Sequence, residues 1–149
     1  MSNNRSSAAS SDDIDPTVQQ ITAVVPCYRE KNQILDVLKK FDSTIKHIIV
    51  IDDACPEKTG EFVRNNNNDR RVLVITHEEN QGVGGATITG YAKAIELGTD
   101  IIVKVDGDGQ MDPAMIKTLI KPIQRGEADY AKGNRFYRLN GLSKMPPLR

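Results

Sequence analysis

Short aliphatic runs alternate with more polar segments along most of this chain. Four runs have the length of strands, Ile21–Val25, His47–Ile51, Val72–Thr76 and Ile101–Val105, and a weaker run lies near Asp129–Lys132. Strands that are buried on both faces of a sheet read as continuous aliphatic runs of this kind. The runs therefore predict a sheet that lies in the middle of the fold.

The segments between these runs are typical of helices. They are Lys31–Phe41, Pro56–Asn65, Gly84–Leu97 and Asp112–Gln124. The second and fourth can carry a proline in their first turn, and the third places four residues on one stripe, Ile88, Tyr91, Ala92 and Ile95. Strands that alternate with helices of this length predict βαβ units with right-handed crossovers, and hence an α/β fold with a mostly parallel sheet.

Composition limits the class of protein. A chain of 149 residues fits one domain, and its formal net charge of zero gives no broad field that would attract nucleic acid. Two cysteines without framework spacing predict a reduced, cytoplasmic protein, and no apolar run approaches the ~18 residues of a membrane span. Residues 1–19 are mostly small and polar, so we expect a disordered tail there.

Two carboxylates follow the last of the strong runs. Asp106 and Asp108 are separated only by Gly107, and ligands of open α/β sheets bind outside the carboxyl ends of the strands. Two carboxylates roughly 6 Å apart repel by about 3 kcal/mol at an effective dielectric constant near 20. A divalent cation would relieve that repulsion. The pair therefore suggests a metal site, and a metal at a strand end suggests phosphate chemistry.

Polar residues follow the other strong runs as well. Tyr28 and Glu30 come after the first run, Asp53 after the second, and the segment 77–85 after the third. If the strands are parallel, these residues converge with the two aspartates at one edge of the sheet. Tyr28 offers a face on which a base can stack, and Glu30 and Asp53 can accept hydrogen bonds from a base or ribose. The arrangement suits a nucleoside diphosphate.

Five segments together resemble the family-2 glycosyltransferases of GT-A fold, particularly the branch like dolichyl-phosphate mannose synthase. In chain order they are Val24–Glu30, Ile51–Pro56, Asn80–Ala86, Asp106–Pro113 and Gly133–Phe136. The first matches the family's V-x-P-x-Y-N-E opening, the second its D-D-x-S-x-D turn, and the fourth its D-x-D motif. The likeness covers roughly residues 21–138 and rests on the order and spacing of all five segments.

The resemblance implies a nucleotide-diphosphate sugar as donor, linked to UDP or GDP. Four residues would bind its nucleoside, namely Pro26, Tyr28, Glu30 and Asp53, with the Tyr28 ring against the base. The resemblance to this branch implies that the sugar is transferred to a polyprenyl phosphate, and an acceptor of another kind stays open. For a full-length form that uses a lipid acceptor, the expected location is the cytoplasmic face of a membrane.

On the phosphate side, the resemblance implies a metal held by the D-x-D motif. Asp106, Gly107 and Asp108 form that motif, which would place Mg²⁺ or Mn²⁺ on the donor diphosphate, with Gln110 as a further ligand. Arg135 would contact a donor phosphate. A cation and an arginine against those oxygens would stabilise the negative charge that develops as the sugar leaves.

The sequence departs from the family pattern in two respects. Arg29 stands where the family usually has asparagine, and Ala54 with Cys55 replaces small polar turn residues, which bears on base selection. The family's general base and most of its acceptor site would lie beyond Arg149. We therefore expect a GT-A donor-binding domain at 20–138, truncated at its C-terminal side, and the start of a missing acceptor-side region at 139–149.

The twin aspartates have other interpretations. A polar turn at a strand end could carry the same residues without binding a metal. An EF-hand loop beginning at Asp106 is excluded, because Met111 stands at its glycine position and Lys117 at its bidentate glutamate position. A haloacid-dehalogenase-like phosphatase would have Thr or Val at Gln110 and would carry the motif near the first strand.

The other candidates also have structural interpretations that the sequence leaves open. Tyr28 can cover the edge of the core, Asp52 and Asp53 can cap a helix or turn, and His77 is typical of a loop. The glycines near residue 84 can serve close packing, since Thr87 breaks the G-x-G-x-x-G pattern. The alternative function is a nucleotide-sugar-binding module without turnover. An incomplete sheet would expose apolar surface and favour self-association.

Overall fold

The computed structural model describes residues 18–133, which form a parallel sheet with helices on both faces. Within this range the strands are β1 (Ile21–Cys27), β2 (Ile45–Asp52), β3 (Val72–Thr76) and β4 (Ile101–Lys104). The helices are α1 (Ile34–Lys39), α2 (Thr59–Asn66), α3 (Gly82–Glu96) and α4 (Ile116–Gln124), with a 3-10 turn at Pro113–Met115. None of the helices described in this range is long and apolar enough to cross a bilayer.

The sheet has the strand order β3-β2-β1-β4, and every neighbouring pair is parallel. Near the middle of the sheet, Val24 of β1 is paired with Ile49 of β2 on one side and with Lys104 of β4 on the other. All of β1 is buried, as is β2 from Ile48 onwards, which is the burial that continuous aliphatic runs predict. The predicted α/β fold with a mostly parallel sheet is confirmed.

Successive residues of the strands point to opposite faces and so build two separate cores. On one face, Val25 of β1 belongs to a large apolar cluster with side chains of α1, α2 and α4. On the other face, Val24 belongs to a smaller cluster whose buried members from α3 are Ala86 and Ala94. The protein is thus a three-layer sandwich in which α3 alone covers the second face of the described sheet.

Helix α3 packs on the sheet through small residues, and its large apolar residues face outwards. Its buried residues are Ala86, Gly90 and Ala94. A Cβ atom at Gly90 would overlap the side chain of Val24, so the helix backbone lies very close to β1. The predicted stripe of larger residues is therefore on the solvent side, where Ile88 is 70%, Tyr91 37% and Ile95 69% exposed.

Two predictions of local structure were wrong. The segment near Asp129–Lys132 is not a strand, and Tyr130 within it is 77% exposed. Pro56 does not open α2, which begins at Thr59. Lys58, just before the helix, has a left-handed backbone with φ of 53°, which is incompatible with an earlier helical turn.

Candidate functional site

The loops that follow the strands bring the predicted residues to one edge of the sheet. The amide of Asp53 donates to the carbonyl of Cys27 (3.3 Å), and the amide of His77 donates to the carbonyl of Asp52 (2.9 Å). Pro26 is buried in β1 just before this edge. The ends of β1, β2 and β3 are therefore tied together by backbone hydrogen bonds, and β4 lies directly on the other side of β1.

The adjacent aspartates after β2 have different tasks. Both carboxylate oxygens of Asp52 accept backbone hydrogen bonds, Oδ1 from the amide of Cys55 (2.8 Å) and Oδ2 from the amide of Gly60 (2.6 Å). Asp52 thereby holds the turn and the first residues of α2, and it is only 2% exposed. Of the two aspartates, this one has the helix-capping and turn role that the sequence allowed for either.

Asp53 belongs to a buried network that joins three elements. Its Oδ1 lies 2.7 Å from Nδ1 of His77 and accepts a hydrogen bond from the amide of Gln81 (2.8 Å). The other ring nitrogen of His77, Nε2, lies 2.9 Å from the hydroxyl of Thr89 in α3. Burial alone would raise the pKa of Asp53, but these hydrogen bonds outweigh it and hold that pKa below its usual value. Asp53 is thus a carboxylate kept ionised in a fixed orientation.

Tyr28 is available at the same edge. It is 42% exposed, and the guanidinium carbon of Arg29 lies 5.5 Å from the centre of its ring. An aromatic ring in this position can stack with a base, so the alternative role of covering the core edge accounts for only part of its surface.

The loops after β1 and β2 both turn through left-handed backbone conformations. Arg29 has φ of 59° and Ala54 has φ of 54°, a region that glycine and asparagine tolerate better than other residues. These are two of the positions at which the sequence departs from the pattern of the glycosyltransferase family that it resembles. The asparagine usual at the position of Arg29 therefore has a backbone explanation, and this chain keeps the turns with less suited residues.

The D-x-D segment after β4 lies against Glu30. A Cβ atom at Gly107 would overlap Oε2 of Glu30, so glycine leaves room for that carboxylate in its present position. Oε2 itself is buried and has no hydrogen-bond partner. Burial, together with the negative charges of Asp108 and Asp106, raises the pKa of Glu30 to about 7. Glu30 is therefore on the side of the two aspartates, close enough for their charges to act on its carboxyl group.

The aspartates of the motif differ in their surroundings. The side chain of Asp106 forms a salt bridge with Lys104, which is the last residue of β4 and lies two residues earlier in the chain. Asp108 is exposed, and its Oδ1 accepts a hydrogen bond from the amide of Gln110 (2.9 Å). The side chain of Gln110 is also at the surface. Lys104 is thus a built-in positive charge beside the acidic group.

These side chains suit a divalent cation that phosphate oxygens help to hold. Mg²⁺ takes oxygen ligands, and in phosphate sites it uses one or two carboxylates and fills its other positions with substrate and water. Asp106 and Asp108 can supply two carboxylates, and the carboxyl group of Glu30, whose Oε2 has no hydrogen-bond partner, lies on the same side. Over residues 18–133, no three His, Cys, Asp or Glu side chains form a complete metal site. A cation here would need oxygens from a bound diphosphate.

Sequence reasoning missed two members of this site and could not place a third. His77 was expected in a loop role, yet only 7% of its side chain is exposed. Lys104 interrupts an aliphatic run and stands two residues before Asp106. That spacing is the sequence feature that could have predicted their salt bridge. Arg135, predicted to contact phosphate, lies outside the described residues.

Comparison with known proteins identifies the family. The sequence profile described as "Glycosyl transferase family 2" matches residues 22–149. The UDP-N-acetylglucosamine–dolichyl-phosphate N-acetylglucosaminyltransferase of Methanococcus voltae is 36% identical over 140 residues, which cover 85% of this chain and 56% of that protein. The dolichol-phosphate mannosyltransferase of Pyrococcus furiosus is 27% identical over 131 residues, covering 85% of this chain and 36% of that protein. The chain thus spans about half the length, or less, of these curated relatives.

The fold has counterparts among solved structures. S. aureus TarS 1-349, solved in complex with UDP-GlcNAc, superposes with a TM-score of 0.58 at 20% sequence identity. The superposition covers 74% of this chain and 33% of TarS. At this identity the likeness concerns the fold, which is the α/β architecture of the GT-A glycosyltransferases. The family match over residues 22–149 shows that this chain belongs to glycosyl transferase family 2.

Proposed function

We propose that residues 20–138 form the donor-binding domain of a polyprenyl-phosphate glycosyltransferase. The domain would bind a nucleotide-diphosphate sugar along the edge where the strands end. The observation that carries this proposal is the convergence there of an exposed ring at Tyr28, an ionised carboxylate at Asp53 and the exposed carboxylate of Asp108. The name of the M. voltae relative makes UDP-N-acetylglucosamine the first donor to test, with GDP-linked sugars as the alternative.

The nucleoside would lie over the ends of β1 and β2. The ring of Tyr28 would stack on the base, while Asp53 would accept a hydrogen bond from a base N–H or a ribose hydroxyl. Pro26 shapes the floor of this part because it is buried in β1 directly before the loop. Because the Asp53 carboxylate has a fixed orientation, it would favour a base whose N–H group points towards it over a base that has no donor in that position.

The diphosphate would lie over the ends of β1 and β4. Asp106 and Asp108 would hold Mg²⁺ or Mn²⁺, with Gln110 as a further oxygen ligand and Gly107 leaving room for Glu30. When bound, that cation would supply positive charge against the diphosphate as the sugar leaves. We further propose Arg135 as a phosphate contact, as the family pattern implies.

The acceptor and the cellular location are inferred from the relatives. Two of them are named as dolichyl-phosphate or dolichol-phosphate transferases, so we propose a polyprenyl phosphate as acceptor. Such an acceptor would bring the full protein to the cytoplasmic face of a membrane. The general base that activates the acceptor would belong to the acceptor side, which the family places after the donor domain.

A second candidate function is donor binding without transfer. The groups that the structure brings together, Tyr28, Asp53, Asp106 and Asp108, are all donor-side groups, which favours binding as the property of this 149-residue chain itself. Hydrolysis of the donor, or transfer to dolichyl phosphate by this chain alone, would exclude the binding-only alternative.

Thermal unfolding with nucleotides tests the proposal. UDP or GDP with Mn²⁺, at 100 times the dissociation constant, should stabilise the protein by about 2.7 kcal/mol and raise its melting temperature. The Asp108→Asn variant should lose the part of this stabilisation that depends on Mn²⁺. The matched control is Asp36→Asn, which changes an exposed aspartate of α1 whose side chain is 75% exposed.

The outcomes separate the parts of the proposal. A folded wild-type protein that gains no stability from either nucleotide would refute donor binding. If the effect of Mn²⁺ on stability is unchanged in the Asp108→Asn variant, nucleotide binding is still supported, but the metal must be held by other ligands.

A further inference from the structure

We propose that His77 is a positioning residue for nucleoside recognition, which acts by fixing the carboxylate of Asp53. This inference rests on the proposed function, because it assigns the role through Asp53. His77 follows β3, one strand further from the metal side than Asp53, and no direct contact with the donor is required of it.

The imidazole of His77 is held at both ends. Nδ1 lies 2.7 Å from Oδ1 of Asp53, and Nε2 lies 2.9 Å from the hydroxyl of Thr89. Only 7% of the His77 side chain and 5% of the Asp53 side chain is exposed. Because both ring nitrogens already have partners, the ring is better placed to orient Asp53 than to bind a ligand itself.

The backbone around Asp53 completes this arrangement. The amide of Gln81 donates to the same Oδ1 (2.8 Å), and the side-chain amide of Asn80 donates to the carbonyl of Asp53 (3.2 Å). The segment from His77 to Gln81 therefore wraps around one residue of the neighbouring loop. One oxygen of the Asp53 carboxylate is fixed from two directions, which sets the plane of the whole group and hence the direction of its other oxygen.

This geometry matters for recognition because a hydrogen bond depends on the angle of its acceptor as well as on its distance. A carboxylate that rotates freely loses part of the interaction with a base or ribose, although it is still present and charged. Hydrogen bonds to charged groups are the stronger ones in proteins, so the loss of orientation should weaken nucleotide binding by about tenfold.

A purely structural role predicts a different pattern of variants. If His77 only joins β3 to α3, then the bond to Thr89 matters as much as the bond to Asp53. The amide nitrogen of asparagine reaches approximately the position of imidazole Nδ1, and that of glutamine approximately the position of Nε2. The His77→Asn variant can therefore keep the bond to Asp53 while losing Thr89, and the His77→Gln variant does the reverse.

Isothermal titration of the 149-residue chain with UDP and GDP, at constant Mn²⁺, provides the test. For the nucleotide that the wild type binds, His77→Ala should weaken affinity about tenfold, His77→Asn should restore most of it, and His77→Gln should not. Thr89→Val should stay within about twofold of the wild type. Inorganic pyrophosphate with Mn²⁺ serves as a probe without a nucleoside, and its affinity should be the same in all variants.

Several results would overturn the inference. They are wild-type nucleotide affinity in the His77→Ala variant, equal rescue by asparagine and glutamine, and a parallel loss of pyrophosphate binding. If His77→Ala does not fold, the asparagine and glutamine variants decide the question by themselves. Failure of the wild type to bind either nucleotide would instead refute the proposed function, and this inference with it.

Discussion

The metal-free protein should lose stability as the pH rises towards and through neutrality, because Glu30 becomes ionised. Replacing Glu30 with glutamine should abolish this loss. Glu30 is half-buried beside Asp106 and Asp108, and Oε2 has no hydrogen-bond partner. Its pKa is raised from 4.5 to about 7, with burial as the largest cause and the two aspartates next. Glutamine has nearly the same size and carries no charge at any pH, so the substitution isolates the ionisation.

The sign follows from proton binding. Between pH 4.5 and about 7 the folded protein holds a proton on Glu30 that the unfolded chain has released. Stability therefore falls as the pH rises across this window, and the contribution of the protonated group is fully present only below the lower value. At 1.36 kcal/mol for each pH unit, the upper limit is about 3 kcal/mol. Solvent screening of a half-buried group reduces this, so we expect about 1 to 2 kcal/mol.

Urea unfolding in EDTA at pH 5, 6, 7 and 8 measures this effect. The wild type should lose about 1 to 2 kcal/mol relative to the Glu30→Gln variant between pH 5 and pH 8. The control is Glu57→Gln, which changes an exposed carboxylate after β2 and should follow the wild-type pH dependence. Parallel curves for the wild type and Glu30→Gln would show that Glu30 ionises normally and is not enclosed beneath Gly107.

Three other changes test separate parts of the structure. Ala54→Gly should stabilise the protein by about 0.5 to 1 kcal/mol in urea unfolding, because φ of 54° strains alanine. The control Ala92→Gly, on the exposed side of α3, should destabilise it by about 1 kcal/mol. A loss of stability from both substitutions would contradict the left-handed turn at Ala54. Lys104→Met should tighten Mn²⁺ binding about two- to fivefold, because it removes the ammonium group paired with Asp106. Electron paramagnetic resonance without nucleotide measures this affinity, and weaker binding would mean that Lys104 supports the cation. We also expect the chain to self-associate through the exposed stripe of α3. The double substitution Ile88→Lys and Ile95→Lys should lower the sedimentation coefficient at high protein concentration and leave the free energy of unfolding nearly unchanged. An unaltered sedimentation coefficient would place the contact elsewhere.

The strands were predictable because their burial is encoded in composition. A run such as His47–Ile51 is apolar at nearly every position and has the length of a strand, which is typical of a strand covered on both faces. The polar residues after each run could then be assigned to one edge from parallel topology alone. This reasoning assigns Asp53, Asp106 and Asp108 to one edge without any knowledge of side-chain contacts.

The faces of α3 could not be predicted by the same reasoning. Two stripes of this helix have helical spacing, one with Ile88 and Ile95 and one with Ala86, Gly90 and Ala94. A periodicity rule places the larger residues inside, but the close approach of the backbone to Val24 leaves room only for the smaller ones. The distance between helix and sheet is a tertiary property that one stretch of sequence does not contain.

His77 was missed for a related reason. A single histidine at a strand end gives no local signal of burial, and its partners lie 24 residues before it and 12 residues after it. Glu30 is similar, because its place beneath Gly107 depends on β4 lying next to β1. The types of residue at the site were readable from the sequence, whereas the contacts that tune their charge and orientation were not.

The strand order has a consequence for how such a domain can diversify. The sheet extends from β1 through β2 to β3, and the chain then returns to add β4 on the opposite side. Loops after β1 and β4 are consequently neighbours at the carboxyl edge, and both lead to helices that pack in the same core cluster. That adjacency is a product of topology, while the loops after β2 and β3 lie to one side of it only. If the proposed donor site is correct, substitutions in those two loops would exchange one nucleobase for another during evolution and leave the proposed pyrophosphate site undisturbed.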